Sequence, residues 1–112
     1  MATARGSKLF LHDHPHSSYT QKIRIALREK GIPFDSAVPK GVGSGSEVPE
    51  LAPANPRLQV PALEDGELKI FDSTIILGYI EDKFTERRLM PESPAERAKA
   101  RMIEDVCDNQ YV

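Results

Sequence analysis

The amino-acid sequence predicts an α/β domain built on a mixed, four-stranded sheet. Three features lead there. An apolar stretch, Lys8 to His12, precedes an amphipathic helix and a second short strand, which is a β-α-β unit. Two further strands, separated by the turn signal Asp65-Gly66, follow as a hairpin. An apolar helical run then begins at Asp72-Ser73. The resulting order, β-α-β-α-β-β-α, makes the first two strands parallel and the hairpin antiparallel.

Each element has a local cause. Lys8-Leu9-Phe10-Leu11-His12 reads as a short buried strand. His14-Pro15-His16 breaks it as a loop. Residues 18–30 put Tyr19, Ile23, Ala26 and Leu27 on one helical face and direct Lys22, Arg28, Glu29 and Lys30 mostly outward. Gly31 supplies the stop. Residues 34–38 form the second strand. Lys40 to Ser46 is a Gly/Ser-rich loop, and a short helix or turn lies around Glu47 to Ala52. Pro61 to Glu64 and Leu68 to Phe71 make the hairpin, and Asp72 to Phe84 makes the next helix. Ser93-Pro94-Ala95-Glu96 is a helix start with a capping serine, proline at the first helical position and glutamate at the third. That last helix carries Met102, Ile103 and Val106 and reaches Val112 without a stop signal. The chain divides into a domain over 7–85, a linker over 86–92 and a helix over 93–112.

Composition narrows the function. With 112 residues, 39% hydrophobic and 29% charged, the chain has the make-up of one ordinary globular domain. A formal charge of −2, with both signs interspersed, gives no footprint for nucleic acid. No apolar run approaches the length of about 20 residues that spans a bilayer, and the N-terminus has no signal-peptide core. One cysteine, Cys107, excludes an internal disulfide. It reads as a small buried apolar residue. A reducing, cytoplasmic setting is the expectation.

The chemistry concentrates in three places. Val60-Pro61 opens an apolar strand, where proline has no N–H for a ladder and must stand at the first position or in a turn. A cis peptide there would turn the N–H and C=O of Val60 toward a ligand. Asp72-Ser73 heads a helix, bringing a carboxylate, a hydroxyl and unpaired backbone donors together. Ser17 and Ser18 stand at the head of another helix, where the macrodipole favours negative charge. On position alone Ser17 is better explained as a helix N-cap than as a ligand-binding group, and at Ser73 the two readings are compatible. Val60-Pro61 and Asp72-Ser73 together describe a site for an extended, carboxylate-bearing peptide. His12, His14 and His16 alternate, which would align three imidazoles, but Pro15 breaks the extension and no further ligand is specified, so no metal is expected.

These same segments resemble a known family. Ser17-Ser18-Tyr19-Thr20-Gln21-Lys22-Ile23-Arg24-Ile25-Ala26-Leu27 is similar to the active-site helix of serine-type, zeta-like cytosolic glutathione transferases. Asn55-Pro56 through Gln59-Val60-Pro61-Ala62-Leu63 is similar to the same classes. Asp72-Ser73-Thr74-Ile75-Ile76-Leu77-Gly78-Tyr79-Ile80-Glu81 resembles the superfamily's γ-glutamyl-binding helix. The zeta enzymes' usual cysteine and glutamine are replaced here by Tyr19 and Asp72. The resemblance covers roughly residues 7–85.

It implies a thioredoxin-like domain followed by the first helix of an all-α domain, so that the chain is a fragment or a truncated product. Glutathione is implied as co-substrate, a small electrophile as the second substrate, and a homodimer as the assembly. No metal, nucleic acid or membrane is implied. Ser17 takes the catalytic role, donating to the glutathione thiolate, with Ser18 able to share or take it. Val60 and Pro61 take the cysteinyl part, Ser73 the γ-glutamyl carboxylate and Asp72 its ammonium. Gln59 reaches the glycyl or γ-glutamyl end, and Lys40 the glycyl carboxylate. Ser17-x-x-Thr20 stands where dithiol oxidoreductases carry Cys-x-x-Cys, which argues against disulfide exchange. A zeta-like cis-trans isomerase and a non-catalytic interaction or dimerisation module are the alternatives. Surplus apolar positions at Ile76, Tyr79, Ile80, Met102 and Val106 are read as a face for dimerisation.

Overall fold

The computed structural model describes residues 8–14, 16–38 and 60–110. In chain order these form β1 (Leu9–His12), α1 (Ser18–Glu29), β2 (Asp35–Ala37), β3 (Ala62–Asp65), β4 (Leu68–Phe71), α2 (Ser73–Lys83) and α3 (Pro94–Gln110). The expected loop at 40–46, the short helix or turn at 47–52, Lys40 and Gln59 lie outside the described residues.

The sheet is mixed, in the order β2-β1-β3-β4. β1 runs parallel to β2 and antiparallel to β3, and β3 is antiparallel to β4. This is the thioredoxin-like arrangement. Leu9 and Leu11 point from β1 into the core, and Leu63 and Ile70 join them from β3 and β4. α1 and α2 pack on each other and contribute Ile23, Leu27, Ile76 and Ile80. β3 is buried at all four positions because strands flank it on both sides.

Helix ends follow their sequence signals. Ser17 caps α1, its side chain accepting the Thr20 N–H. Gly31, at φ +70°, closes α1 as Gly31 N–H bonds Arg28 C=O and Ile32 N–H bonds Leu27 C=O. Ser93 Oγ accepts the Glu96 N–H at 3.1 Å and starts α3.

Several expectations are corrected. The buried face of α1 is Thr20, Ile23, Ala26 and Leu27. Tyr19 is half-buried and donates its hydroxyl to the Asp108 carbonyl at 2.9 Å instead of packing inward. Lys30 is buried, not outward, because Glu81 pairs with it from α2. The hairpin turn is Gly66-Glu67, since Asp65 pairs with Leu68, and Gly66 takes φ +63°. The second strand shortens to three residues. Ile76 and Ile80 are fully buried core residues, so they leave no free face. Cys107 is exposed on α3, not buried.

Candidate functional site

Register alone gathers three chain segments at one end of the sheet. His12, the last residue of β1, pairs with Ala62, the first of β3, and Ala62 pairs with Phe71, the last of β4. The loop leading to Ser17, the Val60-Pro61 peptide and the Asp72-Ser73 turn therefore leave the sheet at the same end. The Val60–Pro61 bond is cis. Pro61 is buried and Val60 half-buried.

The loop into Ser17 is held from both sides. Asp13 N–H donates to Ala37 C=O at 2.9 Å, and Arg24 Nη1 lies 2.6 and 2.7 Å from the two oxygens of the buried Asp13 carboxylate. Ser17 N–H donates to His14 C=O at 3.1 Å. Ser17 Oγ accepts the Thr20 N–H at 3.2 Å, which uses the oxygen as an acceptor and leaves its hydrogen to donate. Ser18, the first residue of α1, is exposed.

At the head of α2, Asp72 adopts φ 75°, ψ 124°, and its Oδ2 accepts from Thr74 and Ile75 N–H at 3.1 and 3.3 Å. A non-glycine residue at positive φ is strained by about 1–3 kcal/mol and is held only where the surroundings impose it. Ser73 follows, buried at the first helical position.

The histidines separate. His12 Nε2 lies 2.7 Å from Glu64 Oε2, whereas His14 and His16 face each other with ring centroids 5.5 Å apart. The alignment of three imidazoles expected from alternation does not form. Among the described residues, no group of three His, Cys, Asp or Glu side chains can hold a metal.

Sequence reasoning missed a polar cluster on the outer flank of the site. Lys22 Nζ is 2.7 Å from both Glu104 Oε2 and Asp108 Oδ2 of α3. Burial works against a charged lysine here, but the hydrogen bonds it donates to Asp108 and Glu104 raise its pKa above the ordinary value. Thr74 Oγ1 lies 3.3 and 3.4 Å from the same two oxygens. The one sequence signal is the pair of acids four residues apart on one helical face. Nothing local points from them to Lys22, which is 82 and 86 residues away. A cavity of about 290 Å³ lies nearby between α1, α2 and α3, bordered by Ile25, Ala26, Leu77, Met90 and Arg101. Ser17, Val60, Pro61 and Ser73 do not line it.

Comparison with known proteins settles the family. Residues 11–88 match the family described as "Glutathione S-transferase, N-terminal domain". The chain belongs to this family. A glutathione S-transferase of Pseudomonas putida is 34% identical over 95 residues, covering 85% of this chain and 41% of that protein. Maleylacetoacetate isomerase of Mus musculus is 34% identical over 104 residues, covering 91% of this chain and 48% of that protein. Among solved structures, a glutathione S-transferase of Methylobacterium radiotolerans in complex with glutathione sulfonate superposes with a TM-score of 0.77 at 32% identity. That match covers 91% of this chain and 47% of the solved one. The glutathione S-transferase domain described here thus spans under half the length of these relatives.

Proposed function

We infer that this chain is the glutathione-binding domain of a serine-type glutathione transferase, in which Ser17 donates its hydroxyl hydrogen to the glutathione thiolate. The observation that carries this is the Ser17 hydroxyl itself. It stands at the N-terminus of a twelve-residue helix, at one end of the sheet with the cis Val60–Pro61 peptide and the Asp72-Ser73 turn. A donor at a helix N-terminus stabilises an anion that replaces water there. In this reading Val60 offers its backbone to the cysteinyl part, Ser73 takes the γ-glutamyl carboxylate and Asp72 its ammonium. Ser18, Pro61, Gln59 and Lys40 complete the binding set. The activated sulfur then attacks a small electrophile.

The similarity to a maleylacetoacetate isomerase supports a second reading, in which the sulfur adds reversibly to a double bond and leaves again. Both begin with the same thiolate. α3 is taken as the first helix of an all-helical domain, and the working unit as a cytoplasmic homodimer.

The test is retention of the protein on immobilised glutathione, elution by the free tripeptide, and conjugation to an aryl halide. Specific elution with turnover supports the transferase. Isomerisation of a cis-diacid without conjugation supports the second reading. Retention with neither reaction leaves a binding module, and no retention removes the glutathione site.

A further inference from the structure

Ser17 and Ser73 head two different helices, so one small ligand touching both requires those heads to keep a fixed separation. Core packing of Ile23 and Leu27 with Ile76 and Ile80 holds the bodies of the two helices, and a second set of side chains, outside the site, joins their first turns. Lys22 is one turn beyond Ser18 on α1, and Thr74 follows Ser73 on α2. Both reach the same two carboxylates of α3, Glu104 and Asp108, and Tyr19 hydroxyl bonds the Asp108 carbonyl. Three helices meet on one pair of carboxylates.

The charges explain why that ammonium matters. Glu104 and Asp108, four residues apart on one face, repel each other. A threonine hydroxyl has a single proton and can donate to one carboxylate at a time. Lys22, Glu104 and Asp108 side chains are 21%, 20% and 16% exposed, so water screens the repulsion only in part. Within this cluster, Lys22 is the cation that holds the two acids together. Without it the acids separate, α3 loosens, and Thr74 loses the oxygens that fix the first turn of α2.

We propose that Lys22 is a positioning residue for the ligand site, fixing the first turns of α1 and α2 relative to each other through Glu104, Asp108 and Thr74. This rests on the glutathione reading above.

The experiment measures glutathione affinity by calorimetry on the full chain, with thermal melts and the thiolate absorbance of the bound ligand recorded alongside. The variants are Lys22→Met, Lys22→Arg and the triple Lys22→Met/Glu104→Gln/Asp108→Asn. Lys22→Met weakens affinity about tenfold, the scale of a small misplacement of binding groups. Lys22→Arg stays within about twofold of the parent, because it restores a cation able to reach both acids. The triple variant recovers most of the loss, because neutral side chains no longer repel, an effect that a purely local packing defect at Lys22 would not give. The pH titration of the bound thiol is unmoved, since Ser17 keeps its contact. Affinity unchanged in Lys22→Met, a triple variant as weak as the single one, or a shifted thiol titration overturns the positioning role. A parent protein that binds no glutathione overturns instead the reading on which it rests.

Discussion

Ser17 Oγ accepts one hydrogen bond from its own helix, and that bond is what lets a capping residue also serve as a donor. Cap and donor are separable by substitution. Ser17→Ala removes both and costs about 0.5–2 kcal/mol of stability, whereas Ser17→Gly retains most of the capping tendency and loses only a few tenths. Both variants lower turnover by roughly 10- to 1,000-fold, because both lack the hydroxyl. Equal stability loss in the two, or full turnover in either, counts against the assignment. Asp72 supplies a second residue-level prediction. Its φ of 75° strains any side chain, while its carboxylate caps α2. Asp72→Gly relieves the first and loses the second, whereas Asp72→Ala only loses. Urea denaturation should find the glycine variant more stable than the alanine one by about 1 kcal/mol.

Two ion pairs tie elements together, one buried on both sides (Lys30–Glu81) and one with a buried carboxylate and an exposed lysine (Asp65–Lys83). Lys30, at the C-terminus of α1, bonds Glu81 at 2.9 Å and the carbonyls of Phe84 and Arg87 at 2.7 and 2.9 Å. Glu81 in turn accepts the N–H groups of Leu89 and Met90, both at 3.1 Å. The pair thus pins the segment leading from α2 toward α3. Burial alone would raise the Glu81 pKa, but the Lys30 ammonium and the two backbone donors outweigh it and hold the carboxyl below its ordinary value. Asp65 behaves alike: burial raises it, and bonds from Lys83 and Tyr79 bring it below the ordinary range. Carboxyls depressed on folding contribute stability that is present above the unfolded value of about 4 and lost as pH falls through the lower folded value. Urea midpoints should therefore hold from pH 7 to 5 and fall steeply below pH 4. Glu81→Ala leaves the Lys30 ammonium buried without its carboxylate and should cost about 3–5 kcal/mol, read from the same denaturation curves. A loss below 1 kcal/mol would mean that solvent reaches Lys30 after all.

At the scale of the whole molecule, the element order and the directions of the strands were legible in the sequence, because each rests on local signals. Pro61 could stand only at a strand's first position or in a turn, Gly31 and Ser93 mark helix ends, and apolar spacing marks the strands and the inner face of α1. Pairings between distant residues were not legible. Lys30 looks like a solvated helix-end lysine until Glu81 is brought to it, and Lys22 looks the same until α3 is in place. Ile76 and Ile80 looked like surplus apolar residues because the depth of the core depends on how α1 and α2 meet. Among the exposed large apolar residues, Met102, Ile103 and Val106 lie together on α3, at 61%, 65% and 43%. This face is the candidate surface for the proposed dimer. Ile103→Asp should shift light scattering from dimer to monomer at micromolar concentration, because an unpaired charge would be buried there. An unchanged mass moves the interface elsewhere.

The central claim is that this domain binds glutathione and holds its sulfur as a thiolate. The most direct measurement is the ultraviolet thiolate absorbance of the binary complex as a function of pH, with the free tripeptide beside it. A donor at the head of α1 predicts a bound thiol that ionises well below the free-thiol value of about 8.5, and a return toward that value in Ser17→Ala. A complex that titrates like the free thiol, or that moves with Ser18→Ala and not with Ser17→Ala, would contradict the account.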